Sequence, residues 1–376
     1  MNSRERLFAA LAGEPTDRVP VWLLFPYHPT GYYVDVRSHP QYLPVHELAV
    51  ERAVTLNRRN LSAPLHTQDV VSRQEQINTP GGPVTRSWLE CGDVSIYSQT
   101  GPVDAPADRV KLLASAEDLE AYAALPIETD PARLYAALDA LLPRYLEERA
   151  EFPEHLGAMM LDLGEPIGAL YGSSDLEEYA IWSITHDDVV VGLLERLMER
   201  FRLIYTWCLE RDLADVYFLV GSELASPPLV SRDTFQRWIV PFARELIGLI
   251  HGHGKKVIQH YHGQIAEILP DFLTMGPDGL HTIEAPPIGD CTHAQAFDAI
   301  GDDITLIGNI QYDEFRALEP TQMQRLVRET LDKAAGRRLI LSPTAGPYEE
   351  QPDPRVFDNY RAFLDAAWEY GSWPRT

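Results

Sequence analysis

His260 and His262 close a short apolar run, Lys256-Val257-Ile258-Gln259-His260-Tyr261-His262-Gly263. Residues two apart in a β-strand point to the same face, so both imidazoles can address one point at the strand's end. Such a pair suits metal binding or acid/base work. Other apolar runs end the same way. Ala158-Met159-Met160-Leu161 leads to Asp162 and Glu165, and Val216-Tyr217-Phe218-Leu219-Val220 to Ser222 and Glu223. Gly279 to Ile283 finishes on Glu284, Ile304 to Gly308 on Asn309, and Leu339-Ile340-Leu341 on Ser342, Pro343 and Thr344.

A carboxylate ending a strand as apolar as the one before Glu284 is expected to be desolvated, with a raised pKa suited to proton transfer. A structural salt bridge would also account for it. Glu223 and Asp162 suit either a pocket or loop capping, and paired histidines can equally be hydrogen-bonded strand ends. Trp22, Tyr27 and His28, with Tyr32 and Tyr33, offer an aromatic wall for substrate, or else packing. His251 and His253 precede Lys255-Lys256 in a helix-to-strand turn and are expected on the opposite, surface side.

These residues need a frame that gathers strand ends. From about residue 130 long amphipathic helices alternate with short apolar strands, the pattern of a parallel sheet. About eight such units predict one (β/α)8 TIM barrel over residues 1–376, with its site at the C-terminal ends of the strands. A helix is expected over Ser3–Ala12, with a serine N-cap and Gly13 just past its end. Pro20-Val21-Trp22-Leu23-Leu24-Phe25 reads as a buried strand. Between about 67 and 112 the pattern turns to alternating residues broken by Pro80-Gly81-Gly82-Pro83 and Gly92-Asp93, which predicts an antiparallel hairpin excursion in the N-terminal third.

Composition narrows the partners. With 32 basic and 56 acidic residues the formal charge is -24, which disfavours nucleic acid. No apolar run approaches the ~18 residues of a membrane span, and no apolar leader follows Met1, so a cytoplasmic location is expected. The 3 cysteines are scattered and odd in number, which argues against a disulfide framework.

The stretch Arg6-Leu7-Phe8-Ala9-Ala10-Leu11-Ala12-Gly13-Glu14-Pro15-Thr16-Asp17-Arg18-Val19-Pro20-Val21-Trp22 resembles the opening of the uroporphyrinogen decarboxylase superfamily, which includes cobalamin-linked methyltransferases. Ser231-Arg232-Asp233-Thr234-Phe235, Pro241, His260-Tyr261-His262-Gly263, Ile307-Gly308-Asn309 and Leu341-Ser342-Pro343 continue the resemblance in order. True decarboxylases follow the first strand with an arginine-bearing segment that binds the tetrapyrrole's carboxylates. Here that segment reads Pro26-Tyr27-His28-Pro29-Thr30-Gly31-Tyr32-Tyr33, without either arginine.

The resemblance therefore implies the methyltransferase branch. Those relatives hold a thiol-activating zinc with His-x-Cys and a later cysteine; here His260 matches, His262 replaces the first cysteine and Ala345 the second. The implied site is a divalent metal, zinc or a harder ion, on His260 and His262 with Glu223 or Glu284. With sulfur ligands removed, the metal would polarise a carbonyl or water more readily than it activates a thiol. Glu284, His262 and Asp162 are the expected catalytic groups, and Trp22, Tyr27, His28, Glu223, Asn309 and Thr344 the expected contacts to a small-molecule substrate. No Asp-x-His-x-x-Gly corrinoid motif is present, so a corrinoid methyl donor would arrive free or on a separate protein. A homodimer is also implied. Two alternatives stand beside this reading: a decarboxylase or lyase in which Glu284 or Asp162 protonates a carbanion, and a non-catalytic corrinoid or tetrapyrrole binder.

Overall fold

The computed structural model describes residues 1–101 and 109–372. Its main sheet contains seven parallel strands in the spatial order β1 (Thr55–Arg59), β5 (Gly157–Leu161), β6 (Val216–Val220), β7 (Lys256–Tyr261), β8 (Gly279–Thr282), β9 (Thr305–Ile310) and β10 (Leu339–Pro343). A separate antiparallel sheet holds β2 (Val71–Thr79), β3 (Gly82–Cys91) and β4 (Val94–Thr100). The hairpin excursion is therefore present, and the part of it at 102–108 lies outside the described residues. No helix among the described residues is long and apolar enough to cross a membrane.

The expected strand at Pro20–Phe25 is reduced to two single bridges. Val21 pairs in parallel with Leu341 of β10, and Trp22 with Val54 beside β1. Hydrogen bonds from Trp22 N to Leu341 O (2.9 Å) and from Val54 N to Val21 O (2.7 Å) tie this segment to both edges of the sheet. Leu24, with φ 61°, then turns the chain out of extended geometry, which stops a longer ladder.

Period-2 alternation sorts the strand residues into two cores. Val54, Leu56, Ala158, Met160, Val216, Phe218, Ile258, Ile307 and Ile340 pack together with Trp22 and Leu24 inside the curled sheet. The opposite set, including Met159, Tyr217, Val257, Leu280 and Leu306, packs against the helices. Leu7, Ala10 and Leu11 of the helix Ser3–Ala12 join the inner core, and Thr305 Oγ1 donates to Ala10 O (2.7 Å), so this helix plugs the N-terminal ends of the strands. The helix ends at Gly13 as expected, in the left-handed region, but its N-cap is Asn2, whose side chain and that of Glu5 form a capping box. Ser3 is the first helical residue and bonds Ala53 O instead.

β1 is the strand hardest to see in the sequence, because Thr55-Leu56-Asn57-Arg58-Arg59 carries polar residues on both faces. Its alignment with β5 depends on Gly157: a Cβ there would lie 2.0 Å from Thr55 O. Gly157→Ala is expected to lower stability by about 1–3 kcal/mol through forced displacement of β1. Gly192→Ala, in the helix Asp187–Glu210 where an added Cβ meets nothing within 4 Å, should raise it by roughly 0.5–1 kcal/mol. Urea midpoints of the two variants check both signs.

Candidate active site

The alternation that builds the inner core also sets what stands above it. Continuing past Leu56, Met160 and Ile258 on the same face gives Arg58, Asp162, His260 and His262 at the C-terminal ends of β1, β5 and β7. Arg58 and Asp162 meet as an ion pair, with Arg58 Nε 3.0 Å from Asp162 Oδ2. The guanidinium lies over the rings of Tyr32 (4.8 Å) and Phe218 (5.1 Å). Arg58, Asp162, Tyr32, Asn60 and Val220 line one pocket.

Two histidine assemblies stand beside it. His281 of β8 is fully buried, and burial pushes its pKa down to about 3. It is therefore neutral, and one ring nitrogen carries the proton. His281 Nε2 lies 3.0 Å from Pro343 O, which can only accept, so Nε2 carries it. The unprotonated Nδ1 then accepts from His260 Nδ1–H at 2.7 Å, which leaves His260 Nε2 as an acceptor. Burial, and after it the neighbouring His281 and His262, hold the His260 pKa well below the ordinary value. Trp22 flanks His281 with ring centroids 5.4 Å apart, and Phe218 flanks His260 at 5.3 Å.

The second assembly is a dyad. Glu284, with 4% of its side chain exposed, takes Gly263 N–H on Oε2 (2.7 Å) and faces His262 Nδ1 with Oε1 (3.2 Å). Burial alone would raise its pKa, but these donors outweigh burial and lower it. The expected raised carboxyl is thus corrected: Glu284 is ionised. His262 shows the converse balance, since burial lowers its pKa but the bond and charge of Glu284 raise it overall. Its side chain is 41% exposed, and the ring stands edge-on to His260 with centroids 4.6 Å apart.

Strict alternation would aim Glu284 with Leu280 and Thr282, away from His281. Ile283 breaks the alternation with φ 59°, a conformation strained for a β-branched residue, and the carboxylate reaches back to β7.

The other expected site residues are dispersed. His28 is buried between Asn57, an outward residue of β1 that meets His28 Nδ1 at 3.0 Å, and Glu151 at 3.2 Å. Tyr27 packs on Phe152 and carries Arg37 over its ring. Thr344 bonds Gln311 and the amide of Tyr312, and so serves a helix start. Asn309 lines a different cavity with Pro286, His293 and Gln311. Trp22 is buried below the histidines. Glu223 accepts from Gly221 N (3.0 Å), and burial raises its pKa. Among the described residues no three His, Cys, Asp or Glu side chains converge as a ligand set. His260 and His262 spend their Nδ1 atoms on His281 and Glu284 and keep Nε2 open, but Glu223 turns to its own loop and Glu284 is taken by His262 and Gly263 N–H. Among the described residues no third ligand therefore joins the two imidazoles, and the set does not fit a resident divalent cation.

Two contributors carried little signal: Arg58 sits in the polar strand β1, and His281 reads as one residue of an apolar run. Glu165 stands where the run ending at Leu161 places it, just past Asp162. Glu165 is buried, and burial, moderated by a hydrogen bond from Ser222, pushes its pKa up to about 8.

A model of the family described as uroporphyrinogen decarboxylase (URO-D) matches residues 168–370. No curated protein matches. Among solved structures, a methyltransferase from Methanosarcina mazei matches at 20% identity with a TM-score of 0.61, over 98% of this chain and 99% of that one. A D-psicose 3-epimerase from Clostridium cellulolyticum H10, with D-tagatose, matches at 12% identity with a TM-score of 0.33, over 60% of this chain and 84% of its own.

Glu165 makes stability depend on pH with a defined sign. Below the ordinary carboxylate range both folded and unfolded chains hold the proton; between there and about 8 only the folded chain does. This residue's contribution therefore falls as pH rises through that window and levels off above it. Glu165→Gln should flatten that slope, read from urea midpoints between pH 4.5 and 8.5, while its midpoint at the acid end changes least.

Proposed function

The chain belongs to the uroporphyrinogen decarboxylase (URO-D) family, and from that premise we propose that it is a methyltransferase-type enzyme working at the mouth of a closed (β/α)8 barrel, with His262 as general base. The full-length likeness to a methyltransferase structure supports the type, and the bridges of Val21 and Trp22 to both sheet edges support closure. The observation that carries the chemistry is the His262–Glu284 dyad. Glu284 is ionised and holds the Nδ1–H of His262, so a neutral His262 presents the Nε2 lone pair. The base and its orienting carboxylate have the mutual arrangement that activates nucleophiles in other enzymes.

In the proposed reaction an acceptor thiol or hydroxyl gives its proton to His262 Nε2. The freed electron pair attacks the methyl carbon, and the bond between that carbon and the donor breaks with its electrons kept by the donor. A corrinoid, free or on a separate protein, or another small methyl compound would serve as donor. No step is routed through a metal, because the described residues bring no three His, Cys, Asp or Glu side chains together to hold one.

Arg58 favours a second reading. Its guanidinium, steadied by Asp162 and two rings, places a cation where a substrate carboxylate could pair, and protonated His262 could return a proton to the carbanion left by decarboxylation.

Titration of His262 by NMR should give a pKa above the ordinary ~6.5, and Glu284→Gln should lower it. Methyl transfer from methylcobalamin to a panel of thiols should rise with pH through the His262 pKa, and His262→Ala should lower the rate by about 10²–10⁴-fold. Release of CO2 from carboxylic acids without methyl transfer would replace this reading with the second one. Ligand binding with neither reaction would make the chain a binder.

A further inference from the structure

The antiparallel sheet has one edge that no described strand covers. β2 pairs only with β3, and six consecutive residues, Val71 to Gln76, are exposed on both faces. The phase of its backbone groups is set by a proline. Asn78 lies opposite Pro83, which has no N–H, so that pair cannot be a hydrogen-bonded one. The bonded pairs are then Thr79, Ile77, Glu75, Arg73 and Val71 with their β3 partners. Ser72, Gln74, Gln76 and Asn78 therefore direct their N–H and C=O groups to the open edge.

An antiparallel second copy must match those groups, which leaves few registers. A two-fold axis at Arg73 opposes Arg73 to itself, and one at Glu75 opposes Glu75 to itself. An axis at Ser72 sets Arg73 against Val71 of the partner subunit and Glu75 against Asp69 of the partner subunit, a like charge, and one at Gln76 leaves both charges facing uncharged residues. An axis at Gln74 sets Arg73 against Glu75 of the partner subunit and Val71 against Ile77 of the partner subunit, each twice, with Ser72 opposite Gln76 of the partner subunit. The strand is self-complementary in that register alone.

The same face already holds a ladder of cations and rings. Arg73 stacks on Trp88 at 3.7 Å, Arg86 on Tyr97 at 4.4 Å, and Arg73 bonds Glu75 at 3.3 Å. We propose that β2 is a homodimer interface, in which two copies pair antiparallel about Gln74 to form one six-stranded sheet. Seven residues of edge pairing bury less than the roughly 1,000 Å² of a stable interface, so the dimer is weak and concentration-dependent.

Sedimentation velocity across a wide range of protein concentration tests this. The wild type should pass from monomer to dimer as concentration rises. Gln74→Pro removes only an edge donor and should leave the chain folded and monomeric. Arg73→Glu or Glu75→Arg should weaken the dimer at least tenfold, and the double variant R73E/E75R, which restores opposite charges across the axis, should regain it. Circular dichroism of each variant separates loss of pairing from loss of fold. A wild type that stays monomeric throughout, or a dimer indifferent to folded Gln74→Pro, would overturn the proposal.

Discussion

Each strand of the parallel sheet must bury one face against the faces of the others, and everything else in the molecule follows from how that is met. Inward positions are apolar as far as Leu56, Met160, Phe218, Ile258 and Ile307, and the helix Ser3–Ala12 closes the space below them. The next inward positions lie beyond the packed core. A polar side chain there is held by dry walls and a fixed backbone, and can still face solvent. That is where Arg58, Asp162, His260 and His262 stand.

Low polarity then separates groups of the same kind. His281 and His262 are both imidazoles near each other, yet burial drives one to about 3 while Glu284 raises the other. Glu165 and Glu284 are both buried carboxyls, but one has a hydroxyl as its bonded partner and stays protonated, whereas the other has an amide and an imidazole and is ionised. Which charge survives in the interior is decided by the donors offered to it.

Much of this frame was legible in the sequence. The strands at 216–220 and 339–343 lie where apolar runs place them, and the hairpins follow the glycine and proline breaks. His262 and Glu284 were marked by their position at the ends of such runs. Arg58 was hidden because β1 is polar on both faces. His28 and Tyr27 pointed the wrong way because the segment before them makes only two bridges, and Asn57 draws His28 to the outer layer. The ionisation of Glu284 depends on Ile283 leaving extended geometry, which no period in the sequence announces. The resemblance to metal-binding relatives offers two imidazoles at His260 and His262, but no third ligand stands beside them among the described residues, which no spacing in the sequence reveals.

The segment at Val21 and Trp22 has a consequence for synthesis. It holds the two edges of the sheet together, yet its partner Leu341 is made more than three hundred residues later. While the chain is still on the ribosome, the opening helix and Trp22 have no complete inner core to enter. Successive strand and helix units can dock as they emerge, but the ring of contacts is joined only after β10 leaves the exit tunnel. The residues that bridge β1 and β10 thus wait for the last strand of the sheet before they can pair on both sides.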